Sequence, residues 1–194
     1  MNFLAHLLLA EKSPDSLLGN LAGDFVKGAI GDRFRPAVRQ GIIEHRRIDE
    51  FTDTHPEAGA FRRIIAAEHG HYAGVIGDLF LDHFLACDWD EHSGERFDDF
   101  LKRVFAMLDP LIDDMPGHLP FVYQRMRDGR WLQSYREPEG IATALRNLSR
   151  RLSRAPRLET SVHLLRDRRD DLHQHFRAFF PEAVTFVNGI RSGP

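Results

Sequence analysis

The stretch Gly77–Ala86, read G-D-L-F-L-D-H-F-L-A, sets two carboxylates and an imidazole inside one of the most apolar runs of the chain. Val75, Ile76, Leu79, Phe80, Leu81, Phe84 and Leu85 fill nearly every other position around them. At about 100° per residue, Asp78 and Asp82 share one helical stripe, with His83 to its side. Two carboxylates at that spacing repel by about 0.2–0.5 kcal/mol even when exposed, and burial penalises their ionised forms much further. Keeping them there calls for a compensating cation. A divalent metal is the simplest one, and histidine with carboxylates makes a suitable ligand set. The structural alternative is that Asp78 caps a helix start after Gly77 while Asp82 ends in a salt bridge.

The rest of the chain also reads as helix. Asn2 to Glu11 is a short apolar helix, and Ser13-Pro14 supplies an N-cap followed by proline at the first helical position. The helix this opens is expected to reach about Gly28. It carries Gly19, Gly23 and Gly28 despite their helical cost, so another helix or a ligand can approach closely there. Pro36 opens a third helix ending near Thr54, and helices over Pro56 to Glu68 and Tyr72 to Cys87 follow. Asp88 to Glu95 is polar and loop-like. Arg96 to Ile112 repeats Phe97, Phe100, Leu101, Val104, Phe105 and Leu108, an amphipathic helix. Further helices are expected from Leu119 to about Arg127, from Pro138, and after Pro156, where Pro181 interrupts or kinks the last one. No strand alternation, internal repeat or low-complexity tract occurs. With 194 residues, 42% of them hydrophobic, the expected fold is an all-α, single-domain helical bundle over residues 1–194.

A formal net charge of −3 does not point to nucleic acid. Only Lys12, Lys27 and Lys102 are lysine, and the remaining basic residues are arginine, whose planar fork suits phosphate and carboxylate. The single Cys87 excludes an internal disulfide and fits a reducing compartment. Met1 to Ala10 lacks a basic n-region and is too short for a signal peptide or a membrane span. The expected location is the cytoplasm, with no membrane partner.

Four of the first five helices carry a polar pair at i, i+4 on an apolar segment: Asn2/His6, Asn20/Asp24, His45/Asp49 and Asp78/Asp82. Any one alone reads as a satisfied core group. Four together would each need buried partners, and facing one another across a bundle they would form a histidine–carboxylate metal site. That donor mix suits Mn²⁺, Fe²⁺ or Mg²⁺. Arg46 lies about 60° from Asp49 on the helical wheel and is the candidate to hold a phosphate at the metal, while Arg47 points away. Metal and arginine together suit phosphoester hydrolysis, the metal activating water and the guanidinium holding non-bridging oxygens.

M-N-F-L-A-H-L at the start, G-N-L-A-G-D-F-V-K-G around Asp24, H-R-R-I-D at His45 and L-D-H-F-L-A at Asp82 resemble the acyl carrier protein phosphodiesterases. So do W-L-Q-S-Y-R and F-R-A-F-F-P later in the chain. The resemblance implies a Mn²⁺-assisted hydrolase that cleaves 4′-phosphopantetheine from the serine of holo-acyl carrier protein. It also implies an HD-domain-like fold, as a divergent relative of HD-domain phosphohydrolases. This chain has Asp82-His83 rather than the usual His-Asp order, so ligands cannot be copied from the HD pattern. The metal candidates are Asp24, His45, Asp49, Asp82 and His6, and the catalytic candidates are Arg46, Asp78 and His83.

His69, His71, His92, His118, His163, His173 and His175 lie in polar or loop contexts and read as surface residues. Arg146, Arg150, Arg151, Arg154 and Arg157 are spaced to form a surface that would steer an acidic carrier protein. Two other functions compete: an HD-like nucleotide or guanosine polyphosphate phosphohydrolase, and a non-enzymatic helical regulator whose polar pairs are only core hydrogen bonds.

Overall fold

The computed structural model describes residues 1–152 and 157–192, and among these every regular element is a helix. In chain order they are α1 (Phe3–Leu9), α2 (Pro14–Ala22), α3 (Pro36–Thr54), α4 (Pro56–His69), α5 (Ala73–Cys87) and α6 (Trp89–His92). There follow α7 (Phe97–Leu108), α8 (Leu119–Asp128), α9 (Trp131–Ser134), α10 (Pro138–Ser149), α11 (Leu164–Asp167) and α12 (Arg169–Ser192). The expected all-α architecture is the one observed.

The bundle is assembled around α5. Nearly every residue from Ile76 to Ala86 is buried, so this helix presents no solvent face, as its uninterrupted apolar run requires. It packs against α1, α4, α10 and α12. Helices α2 and α3 meet most closely of all because glycine faces glycine. A Cβ on Gly19 would lie 2.4 Å from the Val38 carbonyl oxygen and 2.7 Å from the Gly41 Cα. At the far end of α3, His55 precedes Pro56 and is extended (φ −71°, ψ 130°), the conformation a following proline favours. The His55 ring then accepts the Glu57 amide and starts α4.

A second buried polar network ties these helices from behind. Asn20 donates to Glu44 Oε1 at 3.1 Å, and Arg191 from α12 donates to Glu44 Oε2 at 2.8 Å and to the Leu9 carbonyl. Four helices are thus joined through one carboxylate that is only 4% exposed.

Three local expectations change. The second helix stops at Ala22 instead of running to Gly28, and Gly23–Phe25 form a tight 3-10 turn. Asp88 to Glu95 contains the helical turn α6, held by the buried Trp89 ring, whose indole N–H donates to the Glu95 carbonyl at 2.7 Å. Pro181 does not break the last helix, which runs through it for 24 residues.

Candidate metal centre and its cavity

His6 lies in the middle of α1, and His45 and Asp49 sit one turn apart on α3. Asp24 is carried by the Gly23–Phe25 turn. The His45 Nδ1–H donates to the Asn20 carbonyl at 2.8 Å, which aims Nε2 at Asp49 Oδ2 (3.1 Å) and Asp24 Oδ1 (3.7 Å). His6 Nε2 meets the other oxygen of Asp49 at 3.1 Å. The two imidazoles stack with centroids 3.8 Å apart. Donor atoms of His6, His45 and Asp49 all fall within 4.8 Å of one another, and Asp24 closes the group on the solvent side.

Gly23 makes this possible. A Cβ there would stand 2.2 Å from the His45 ring, so only glycine lets the imidazole lie on the turn that carries Asp24. The close approach expected of this glycine is therefore taken up by a side chain of the site. The early end of α2 has the same consequence, since it lifts Asp24 off the stripe shared with Asn20 and into the cluster.

Burial pushes the His6 imidazole down to about 4, helped by repulsion from His45. Burial would lower His45 as well, but hydrogen bonds with Asp24 and Asp49 outweigh it and raise the ring to about 9. The His45 hydrogen bond holds Asp24 below its ordinary value. Asp49 is also lowered: burial would raise it, and its bonds to His45 and His6 prevail. The arrangement thus stations one positive charge, the His45 imidazolium, between two carboxylates. His6 Nε2, His45 Nε2 and the Asp49 and Asp24 carboxylates are the donors that could hold a divalent cation there, with the His45 proton displaced. The Asn20 carbonyl on His45 Nδ1 is the outer partner that fixes the ring of a ligating histidine. Among the described residues His6 Nδ1 has no such partner.

The other candidates are placed differently. Asp78 lines the same cavity, and its Oδ1 is 3.3 Å from the Met1 ammonium, which lies equally far from Asp49 Oδ1. Burial raises the Asp78 carboxyl above its ordinary value. Asp78 lies inside α5, not at a helix start as the structural alternative had it. Asp82 does not join the cluster. Its oxygens accept the backbone N–H groups of Leu4 (2.8 Å) and Ala5 (3.0 Å), so it caps α1 from another helix instead of ending in a salt bridge. Burial raises it to about 7 even so.

His83 also stays outside, bonded through Nδ1 to the Tyr135 carbonyl at 2.7 Å. Arg46 donates to the Val26 carbonyl at 2.7 Å and does not line the cavity, so it braces the loop beyond Asp24 and leaves the centre to other groups. Arg47 is exposed, as expected. The arginine that does line the cavity is Arg151.

The cavity has a volume of about 400 Å³. Asp24, Asp49, Asp53 and Asp78 occupy one side. Trp131 of α9 and the α10 stripe Gly140, Thr143, Ala144, Asn147 and Leu148 line it as well. Sequence reasoning noted Trp131 only within W-L-Q-S-Y-R and missed the α10 stripe, whose residues are small and neutral and carry no ionisable signature. It also missed Glu44 and Arg191, which stand 147 residues apart and meet only in the fold. Of the seven histidines read as surface residues, His173 is half-buried and paired with Asp88, and His92 packs on Phe176 and Phe180.

The model of the acyl carrier protein phosphodiesterase family matches residues 1–183. Proteins named acyl carrier protein phosphodiesterase are similar to this chain in several bacteria. The one from Yersinia enterocolitica is 34% identical over 186 residues, covering 95% of this chain and 96% of its own. Those from Salmonella paratyphi A and Serratia proteamaculans are each 34% identical with the same coverage. No solved structure matches the chain, so the expected HD-domain likeness has no structural neighbour behind it. By family match and by near full-length identity, the chain belongs to the acyl carrier protein phosphodiesterase family.

Proposed function

We propose that this chain hydrolyses the phosphodiester between 4′-phosphopantetheine and the serine of holo-acyl carrier protein, using a divalent cation, Mn²⁺ as the resemblance to the family implies. Mg²⁺ and Fe²⁺ are compatible with the same donors. The observation that carries the reading is the convergence of His6, His45, Asp49 and Asp24, of which Asp49 and Asp24 line a cavity, in a chain of this family. These four side chains would hold the cation. When bound, it supplies charge to a phosphoryl oxygen and makes water more acidic.

The reaction consumes one water. A new P–O bond forms, the bond from phosphorus to the serine oxygen breaks, and that oxygen takes up a proton. Asp78 lines the cavity, where burial raises its carboxyl while the Met1 ammonium at 3.3 Å pulls it back, and it is the side chain we assign to proton transfer at the serine oxygen. Charge builds on the phosphoryl oxygens during attack, and fixed positive groups there stabilise the transition state more than the ground state.

The partner is a small acidic protein, and the exposed Arg146, Arg150 and Arg151 form the surface that would meet it. None of the three has an ion-pair partner among the described residues. Arg157 leans on Glu159 at 3.9 Å, and Arg154 lies outside the described residues. Among the described residues no helix is long and apolar enough to cross a membrane.

Mass spectrometry of holo-carrier protein incubated with this protein and Mn²⁺ tests the reading. Apo-carrier and 4′-phosphopantetheine are expected, with label from ¹⁸O-water in the released phosphate. Intact holo-carrier would refute the activity, and label in the serine hydroxyl would refute attack at phosphorus.

A further inference from the structure

The cavity extends well beyond the residues that would hold a cation, and its second wall has its own chemistry. Gly140, Thr143, Ala144, Asn147 and Leu148 recur at three- and four-residue spacing, so one continuous stripe of α10 faces inward. From Gly140 to Leu148 that stripe is about 12 Å long at 1.5 Å per residue. Trp131 of α9 and Val75 and Leu79 of α5 line the same cavity. Gly140 is the point of closest packing within this wall, since a Cβ there would fall 1.9 Å from the Ser134 carbonyl oxygen. That contact seats α10 on α9 and leaves the stripe turned to the cavity.

The wall is apolar with two neutral polar side chains. Leu148, Ala144 and Trp131 supply the apolar surface. Thr143 donates its hydroxyl to the Glu139 carbonyl at 2.9 Å, so its oxygen is left as an acceptor. The half-buried Asn147 amide has no hydrogen-bond partner among the described residues and offers both donors and acceptor to the cavity. A pocket of 300–1,000 Å³ with apolar walls and a few placed polar groups is built for a small ligand, and the volume here falls in that range. No ionisable side chain lies on this stripe between Gly140 and Leu148, so the ligand portion it takes is neutral.

We infer that the α10 stripe and Trp131 are the seat of the pantetheine arm. This assignment rests on the function proposed above. The arm is neutral, aliphatic and interrupted by two amides. Anchored by its phosphate near Asp24 and Asp49, it would lie along α10 with an amide paired to Asn147 and its aliphatic carbons against Trp131, Ala144 and Leu148. Selectivity for a phosphodiester carrying this arm would then come from α10, and the cleavage chemistry from α1 and α3.

Pantetheine, the arm without its phosphate, tests the seat independently of metal and turnover. The chain has two tryptophans, and Trp89 is 1% exposed, so a ligand-induced emission change reports Trp131. Saturable quenching or shift of that emission is expected, with calorimetry giving the same affinity. Ala144→Phe, which fills the cavity, should abolish it, and Asn147→Leu should weaken binding roughly threefold to tenfold, the loss of one neutral hydrogen bond. Circular dichroism and the unfolding midpoint check that each variant folds. Should Ala144→Phe misfold, Asn147→Leu alone decides. Absence of saturable pantetheine binding to the wild type, or unaltered binding by a folded variant, would overturn the assignment. Cleavage of holo-carrier distinguishes the two levels. Cleavage with an unchanged KM in folded Ala144→Phe overturns the seat alone, and pantetheine binding without cleavage overturns the proposed function alone.

Discussion

The His45/Asp49 pair on α3 and the Asp82-His83 pair on α5 use the same two residue types on helices that both face the core. In the first, His45 spends one nitrogen on a backbone carbonyl and turns the other, with both Asp49 oxygens, toward a shared space that His6 and Asp24 also reach. In the second, Asp82 gives its oxygens to two amides at the start of α1, and His83 gives its Nδ1 to the Tyr135 carbonyl. What separates a ligand site from a structural bond is whether the backbone has already claimed the polar atoms. Asp82 still serves the site at one remove, because the helix it caps is the one that carries His6.

Substitutions in the two regions should therefore fail in different ways. Asp49→Ala removes the carboxylate shared by both imidazoles, and kcat/KM on holo-carrier is expected to fall by more than about 100-fold, beyond the range of an outer-shell partner. Metal content measured by plasma emission should fall with it, while the circular dichroism stays helical. Retained activity would break the comparison at its first member. Asp82→Ala should instead lower stability by about 2–4 kcal/mol in denaturant unfolding, because two buried amides lose their acceptor. Its folded fraction should keep its metal. Unchanged stability with lost metal would return Asp82 to the ligands.

Gly23→Ala sharpens the same contrast without touching a donor atom. The added Cβ overlaps the His45 ring, so metal affinity is expected to fall about 10–100-fold, a loss measurable by competition with a chelator. Arg150→Glu should have the smallest effect, slowing association with the acidic carrier a few-fold at low salt. The difference should shrink as exposed charges are screened over about 8 Å at 0.15 M. A salt-independent rate would remove the α10 arginines from the docking surface.

Helix identity was legible because the punctuation is strong. Pro36 at the start of α3 and Pro56 at the start of α4 fix their boundaries at the expected residues. The end of α2 at Ala22 was missed although Gly23 follows it directly; the His45 ring that lies on Gly23 comes from more than 20 residues away and left no local signal. Four of the eight proposed site residues, His6, Asp24, His45 and Asp49, come together as the spacing of polar pairs suggested. Spacing places a side chain on a face, however, and does not say which backbone group waits there. Asp82, His83 and Arg46 each sit on a plausible face and each meets a backbone amide or carbonyl from another part of the chain. The α10 wall left no trace in charge or motif, because recognition of a neutral arm needs only shape and one amide.

Anomalous diffraction from crystals equilibrated with Mn²⁺ tests the central claim most directly. The account predicts a single strong peak within coordination distance of His6 Nε2, His45 Nε2 and Asp49, with Asp24 turned toward it. A peak at Asp82-His83 instead, or none at saturating Mn²⁺, would contradict it.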